Sequence, residues 1–192
     1  MDKYICKICK IIINDNNYNY NEKTFIHKNS KDSIIQCPFC GVNSKYIYNI
    51  KEDYMGILNK GNIYLDEKTK LILDHAMKLE VFNGDFYKKA SNLVSSMELK
   101  EMFYQLSSVE LMHAKIHKNL IGEKYLPKLK DMDYRKYKKD ISFVEMANER
   151  ERHAVKYYEK YYNDICDDKI KEIFIVLSNV EKEHIELTIN AM

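Results

Sequence analysis

Tryptophan is missing from this 192-residue chain, and neither sign of charge dominates: 31 Lys and Arg face 29 Asp and Glu, for a formal net charge of +2. The missing indole carries no functional information. The near-balance of charge does, because it is too small to build the basic field that holds nucleic acid or an anionic membrane surface. No apolar run is long enough to span a bilayer, and no signal-peptide core is found. A cytoplasmic protein is expected, with no nucleic-acid and no membrane partner. What is present, 45% hydrophobic and 31% charged residues, is the balance of a soluble globular chain. The length leaves room for one ordinary domain and one small one.

Four of the five cysteines form two C-x-x-C pairs, Cys6/Cys9 and Cys37/Cys40. Without an export signal, such pairs point to metal more than to disulfides. Two tight turns of this kind present four sulfurs tetrahedrally, a site that suits iron or zinc and does not choose between them. Pro38 pre-sets one turn and Gly41 supplies the positive φ that closes it. Residues 1–50 are therefore expected to be a small knuckle domain whose stability comes mostly from its metal. A structural zinc ribbon and a redox-active dithiol are the other readings. Cys166 stands alone at an apparent helix turn and is read as a bystander. Gly56 and Gly61, with Asn59 and Asn62, mark 51–65 as a linker.

The remaining stretch, 66–192, is written twice. Glu80, Tyr87 and Glu110-x-x-His113 recur 71 residues later as Glu151, Tyr158 and Glu181-x-x-His184. The spacing predicts four helices over roughly 66–94, 97–121, 139–164 and 167–191, with a crossover at 122–138 that holds Gly122 and Pro127. On each helix the inward stripe alternates three and four residues. All six ionisable residues fall on those stripes, among apolar neighbours such as Leu73, Ala76, Phe103, Leu106, Val144, Phe174 and Leu177. Four buried carboxylates would repel one another and protonate, unless cations supply the missing charge. One Glu from each of two helices and Glu-x-x-His from each of the other two is the ligand set of ferritin-like di-iron proteins, so that step is a resemblance and not a derivation. Tyr87 and Tyr158 are expected to hydrogen-bond ligand carboxylates. His117 also faces inward, but its repeat mate is Thr188, and it is read as a supporting group and not a ligand. His75, His153, Glu149 and Glu183 fall off the stripes.

The fold class expected is mainly α: a ferritin-like four-helix bundle with a small N-terminal rubredoxin-like metal knuckle. K-Y-x-C-x-x-C at the start and Cys37-Pro38-Phe39-Cys40-Gly41-Val42 later resemble rubredoxin, with one departure: Lys10 stands where rubredoxins usually carry Gly. Knuckle and bundle together resemble rubrerythrin, in the order found in reverse rubrerythrins. The resemblance implies that Cys6, Cys9, Cys37 and Cys40 hold a mononuclear iron. It implies that Glu80, Glu110, His113, Glu151, Glu181 and His184 hold a non-haem di-iron centre and are its catalytic residues. Glu110 and Glu181 would bridge the metals, Glu80 and Glu151 would be terminal, and each His would cap one iron. The implied activity is reduction of hydrogen peroxide to water, with electrons from an NAD(P)H-dependent reductase passing through the four-cysteine iron. That iron would serve the di-iron site of a partner subunit, which implies a homodimer. Rubrerythrins usually carry an extra carboxylate beside the third-helix ligand. Here Glu151 has Asn148 before it and Ala154 after it, and only a local π-bulge would bring in Glu149. An iron-oxidising or iron-binding ferritin-like protein reacting with dioxygen is the alternative, as is a metal-bound scaffold with a zinc knuckle.

Overall fold

The computed structural model describes residues 2–51 and 64–192. The expected linker at 51–65 lies almost wholly outside the described residues. The knuckle is a three-stranded antiparallel sheet of β1 (Tyr4–Cys6), β2 (Ile12–Ile13) and β3 (Ile47–Asn49), in the order β2-β1-β3. The bundle is α1 (Glu67–Leu93), α2 (Met97–Ile121), α3 (Asp140–Tyr161) and α4 (Asp168–Asn190). The chain is thus mainly helical and ferritin-like, as the periodicity predicts. The third helix stops short of the expected 164, and a 3-10 turn at Tyr162–Asp164 finishes it.

Local chemistry sets the ends. Asp66, Ser96 and Asp167 cap α1, α2 and α4 by accepting from the backbone N–H groups of Thr69, Leu99 and Lys169, which satisfies donors that no helix turn can. Gly122 closes α2 at φ 79°, the left-handed cap that glycine adopts without steric cost. The carboxylate of Asp140 accepts from Ser95 N and Ser96 N at 2.8 Å. The first hairpin turn is thereby tied to the start of α3. Among the described residues no helix is long and apolar enough to cross a membrane.

The two knuckle turns are copies of one another. Cys6 N donates to Ile11 O and Lys10 N to Cys6 O, at 3.1 and 2.9 Å; Cys37 N donates to Val42 O and Gly41 N to Cys37 O, at 2.7 and 2.9 Å. Lys10 and Gly41 hold the same place in each, at φ 64° and 75°. Lysine therefore makes the turn, in a conformation that costs an L-residue roughly 1–2 kcal/mol. Glycine's larger chain entropy offsets part of any gain. Lys10→Gly is expected to stabilise the metal-loaded knuckle by about 1 kcal/mol, read as slower metal loss to a chelator. No change would mean the turn is relaxed with lysine in place.

Candidate metal centres

The knuckle brings its four cysteines together. Cys6 Sγ lies 3.7 Å from Cys40 Sγ, and Cys9 Sγ 3.6 Å from Cys37 Sγ. Cys6, Cys37 and Cys40 are fully buried. Burial pushes the Cys37 and Cys40 thiols well above their usual range. For Cys6, burial acts the same way but the neighbouring sulfurs outweigh it and hold its thiol low. The set fits zinc or iron.

In the bundle, Glu80 stands on α1, Glu110 and His113 on α2, Glu151 on α3, and Glu181 and His184 on α4. All six are fully buried. Two groups of potential ligand atoms each lie within 4.8 Å of one another: Glu80, Glu110, His113 and Glu181, and Glu110, Glu151, Glu181 and His184. Glu110 and Glu181 belong to both groups, while Glu80, Glu151 and each His belong to one. Tyr158 donates to Glu80, and Tyr87 donates to Glu151. Each tyrosine thus serves the carboxylate of the opposite repeat, although on its own helix it lies two turns from the other Glu.

The charges in this cage do not balance without a cation. Burial first, then the charge of Glu181, pushes the Glu80, Glu110 and Glu151 carboxyls well above their usual range. Burial also pushes on Glu181, but His113 and His184 outweigh it and hold that carboxyl low. The two imidazoles are raised, because Glu181 outweighs the burial that pulls them down. Both oxygens of Glu110, one oxygen each of Glu80, Glu151 and Glu181, and Nδ1 of His113 have no hydrogen-bond partner. Buried polar atoms are rarely left so. His113 shows the arrangement most directly. Its Nε2 donates to the Cys40 carbonyl at 3.0 Å, and its Nδ1 stands 2.9 Å from Glu181 Oε1, the carboxylate that raises the imidazole. A cation between these two atoms would take the place of the proton. The donor set of carboxylate oxygens and imidazole fits a pair of first-row divalent metals.

The same hydrogen bond joins the two centres. The knuckle sits on its own bundle: Cys40 O meets His113, and Lys23 N donates to Gln105 on α2 at 2.8 Å. A Cβ at Gly41 would lie 2.5 Å from Val180 Cγ1 on α4. Gly41 is favoured by its positive φ and required by this approach. Nothing in the sequence pairs Cys40 with His113.

The remaining expected positions sort themselves by exposure. Glu149, His153 and Glu183 are exposed. The third helix is regular throughout, with no π-bulge, so Glu149 does not enter the cage. Asn148 is turned away as well: its Nδ2 donates to Thr188 Oγ1 at 2.8 Å and to Ile185 O at 3.1 Å. His75 stacks on Tyr157 with ring centroids 4.9 Å apart. Cys166 is exposed and bonded to Thr69. His117 is fully buried, and burial pushes its imidazole down to about 3, so it is neutral. Its Nε2 lies 2.8 Å from the Tyr158 hydroxyl.

Comparison with known proteins agrees with this construction. No curated protein and no solved structure matches the chain. The family model described as Rubrerythrin matches residues 72–192, which is more than half of the chain and contains all six cage residues. With a four-cysteine knuckle preceding a ferritin-like bundle and its carboxylate–histidine cage, the chain belongs to the rubrerythrin family.

Proposed function

We propose that this chain is a di-iron peroxidase that reduces hydrogen peroxide to water, with iron in the knuckle returning electrons to the cage. The observation that carries the reading is His113, which holds the knuckle's Cys40 carbonyl at Nε2 and faces the carboxylates at Nδ1. Glu80, Glu110, His113, Glu151, Glu181 and His184 would hold the two irons, with Glu110 and Glu181 common to both ligand groups. When bound, a ferrous pair supplies two electrons, which with two protons turn hydrogen peroxide into two waters. The chain's own part is to hold the ligands in a dry site, where Tyr158 and Tyr87 fix the Glu80 and Glu151 carboxylates. Cys40 and His113 give a continuous path of bonds and one hydrogen bond between the centres. The relay is routed here along that path within one chain, whereas the family resemblance implies a homodimer in which the knuckle serves the partner subunit's cage. An NAD(P)H-dependent reductase on another chain would reload the knuckle.

A second reading, an iron-oxidising protein that uses dioxygen, is favoured by one observation: neither Asn148 nor Glu149 adds a seventh carboxylate to the cage. One mixing experiment separates the two. Iron-loaded, fully reduced protein is mixed with peroxide or with air-saturated buffer, and the knuckle's visible absorbance is followed. Under the peroxidase reading the knuckle is reoxidised by peroxide at once, at a rate per chain independent of protein concentration. A knuckle that stays reduced while iron in the cage is oxidised would establish the second reading.

A further inference from the structure

The cage is built from two copies of one hairpin, yet its two ligand groups are not held alike. His113 is fixed at its far nitrogen, because Nε2 donates to the Cys40 carbonyl at 3.0 Å. The Nε2 of His184 is buried and has no partner. Glu80 is backed to a greater depth than Glu151. Tyr158 donates to Glu80, and the Tyr158 hydroxyl in turn stands 2.8 Å from His117 Nε2. Phe174 packs edge-on against both of those rings, with centroids 5.0 and 5.7 Å away. Tyr87 donates to Glu151 and packs on Phe86 and Phe103. In the place of His117 the repeat has Thr188, whose hydroxyl is turned to Ile185 O and Asn148 instead.

The packing of the hairpins differs in the same direction. Ser107 Oγ donates to Gly84 O at 2.8 Å. Gly84 lets α1 and α2 approach so closely that an added Cβ would lie 2.8 Å from Leu111 Cγ. Moved by 71 residues, Gly84 becomes Val155, Leu111 becomes Lys182 and Ser107 becomes Ser178. Ser178 Oγ is buried without a partner. A cavity of about 200 Å³ lies between α3 and α4, lined among others by Tyr158, Phe174 and Ser178. Glu80, Glu110 and His113 thus stand on the closed hairpin, and Glu151, Glu181 and His184 on the one with the cavity.

We propose that the cage takes up its two metals in a fixed order: the first, tightly held, at Glu80, Glu110, His113 and Glu181, and the second, more weakly, at Glu110, Glu151, Glu181 and His184, with the knuckle's metal strengthening the first. Groups that orient metal ligands commonly govern affinity by about 10–100-fold. A ligand set locked by packing and hydrogen bonds is also better organised before the ion arrives. Both arguments favour the His113 group. Cys40 ties that group to the knuckle, since its sulfur belongs to the four-sulfur set and its carbonyl holds His113. A metal that fixes the Cys40 turn therefore fixes the imidazole as well. By linkage, the first cage metal returns the same gain to the knuckle. His184 has no tie of this kind. The inference rests on the cage holding two metals and not on the reaction they serve, so it stands under either reading above.

The test uses the full chain, stripped of metal and titrated with zinc, and follows calorimetry together with the ring ¹⁵N resonances of the histidines. Four thiolates take the first equivalent. After it, the His113 resonances are expected to move before those of His184, and the two cage steps should differ in affinity by about tenfold or more. His117→Phe should weaken the first cage step about tenfold and leave the second unchanged. Thr188→Val, at the matching place, should leave the first step unchanged. Cys9→Ser, which weakens the knuckle but keeps Cys40, should also weaken the first cage step and not the second. His184 moving first, or both histidines moving together, overturns the order. A first step indifferent to Cys9→Ser overturns the link to the knuckle. Should His117→Phe fail to fold, the order of the wild-type resonances decides alone. Peroxide plays no part in these readouts, so a chain that ignores peroxide overturns only the peroxidase reading.

Discussion

Replacing Glu110 by methionine is expected to do opposite things to the metal-free and metal-loaded chain. Glu110 is fully buried, and neither of its oxygens has a hydrogen-bond partner. Its removal costs no such bond, and it relieves the repulsion that pushes the carboxyls of the cage upward. Replacing a buried ionic pair by apolar groups of similar volume is often neutral or stabilising by about 1–4 kcal/mol, whereas stranding one partner is destabilising; here His184, 3.3 Å from Glu110, keeps Glu181 at 3.0 Å. In a chain of this size each kcal/mol moves Tm by about 2–4 °C. Glu110→Met without metal should therefore melt several degrees higher than wild type. With metal offered, the variant should bind neither ion well, because Glu110 belongs to both ligand groups. Glu80→Met should lose only one ion, and it should gain less without metal because it leaves the Tyr158 hydroxyl without its acceptor. Calorimetry of the stripped chains and metal analysis of the loaded ones read the two halves. A metal-free Glu110→Met chain less stable than wild type would show that the carboxylate carries no strain in the empty cage.

The pH dependence of stability should likewise reverse with metal. Burial and like charge raise the folded pKa values of Glu80, Glu110 and Glu151 above those of the unfolded chain. The metal-free fold thus holds protons that the unfolded chain releases. Its stability is complete below the unfolded carboxylate value of about 4.3 and is lost as pH rises through the folded values. His113 and His184, also raised, act in the same direction above their unfolded value of about 6.5. Glu181 has the opposite sign, but its folded pKa is depressed, so its contribution is lost only on strong acidification. Between about pH 5 and 8 the stripped chain should therefore lose stability as pH rises. Metal ligation needs the same groups deprotonated, so binding should release protons and tighten over the same range. Melting curves of stripped and loaded protein, run in parallel across that range, check both signs. Parallel curves would mean that the cage does not titrate with the metal.

Much of this molecule is legible in its residue order alone. The 71-residue repeat and the three-four stripes place all six cage residues inward, and every one is buried. The C-x-x-C pairs mark the knuckle. Tyr87 and Tyr158 are readable as partners of carboxylates, but which tyrosine meets which carboxylate is not. A helical stripe states the face and depth of a side chain, and says nothing of the helix it crosses to. Ser178 and its cavity escape a reading by stripes, although a signal exists: at the same offset Gly84 is replaced by Val155, and Leu111 by Lys182. Lys10 departs from the glycine that rubredoxins usually carry, yet the turn forms with the same two hydrogen bonds as its partner. The requirement lies in the backbone conformation, which glycine meets most easily and lysine can still adopt.

The sequence by itself determined what depends on neighbours along one chain: helix faces, cysteine turns, caps and the depth of each ionisable group. These follow from fixed periods of the backbone, so spacing is enough to read them. Only the tertiary structure decided what depends on distance between elements. It made Glu110 and Glu181 common to both ligand groups, crossed Tyr87 and Tyr158 to the opposite repeat, and set the Cys40 carbonyl on His113. It also opened the second hairpin where the first is closed. Those contacts join residues far apart in the chain, and packing of whole helices fixes them, through side-chain volumes that no local spacing records.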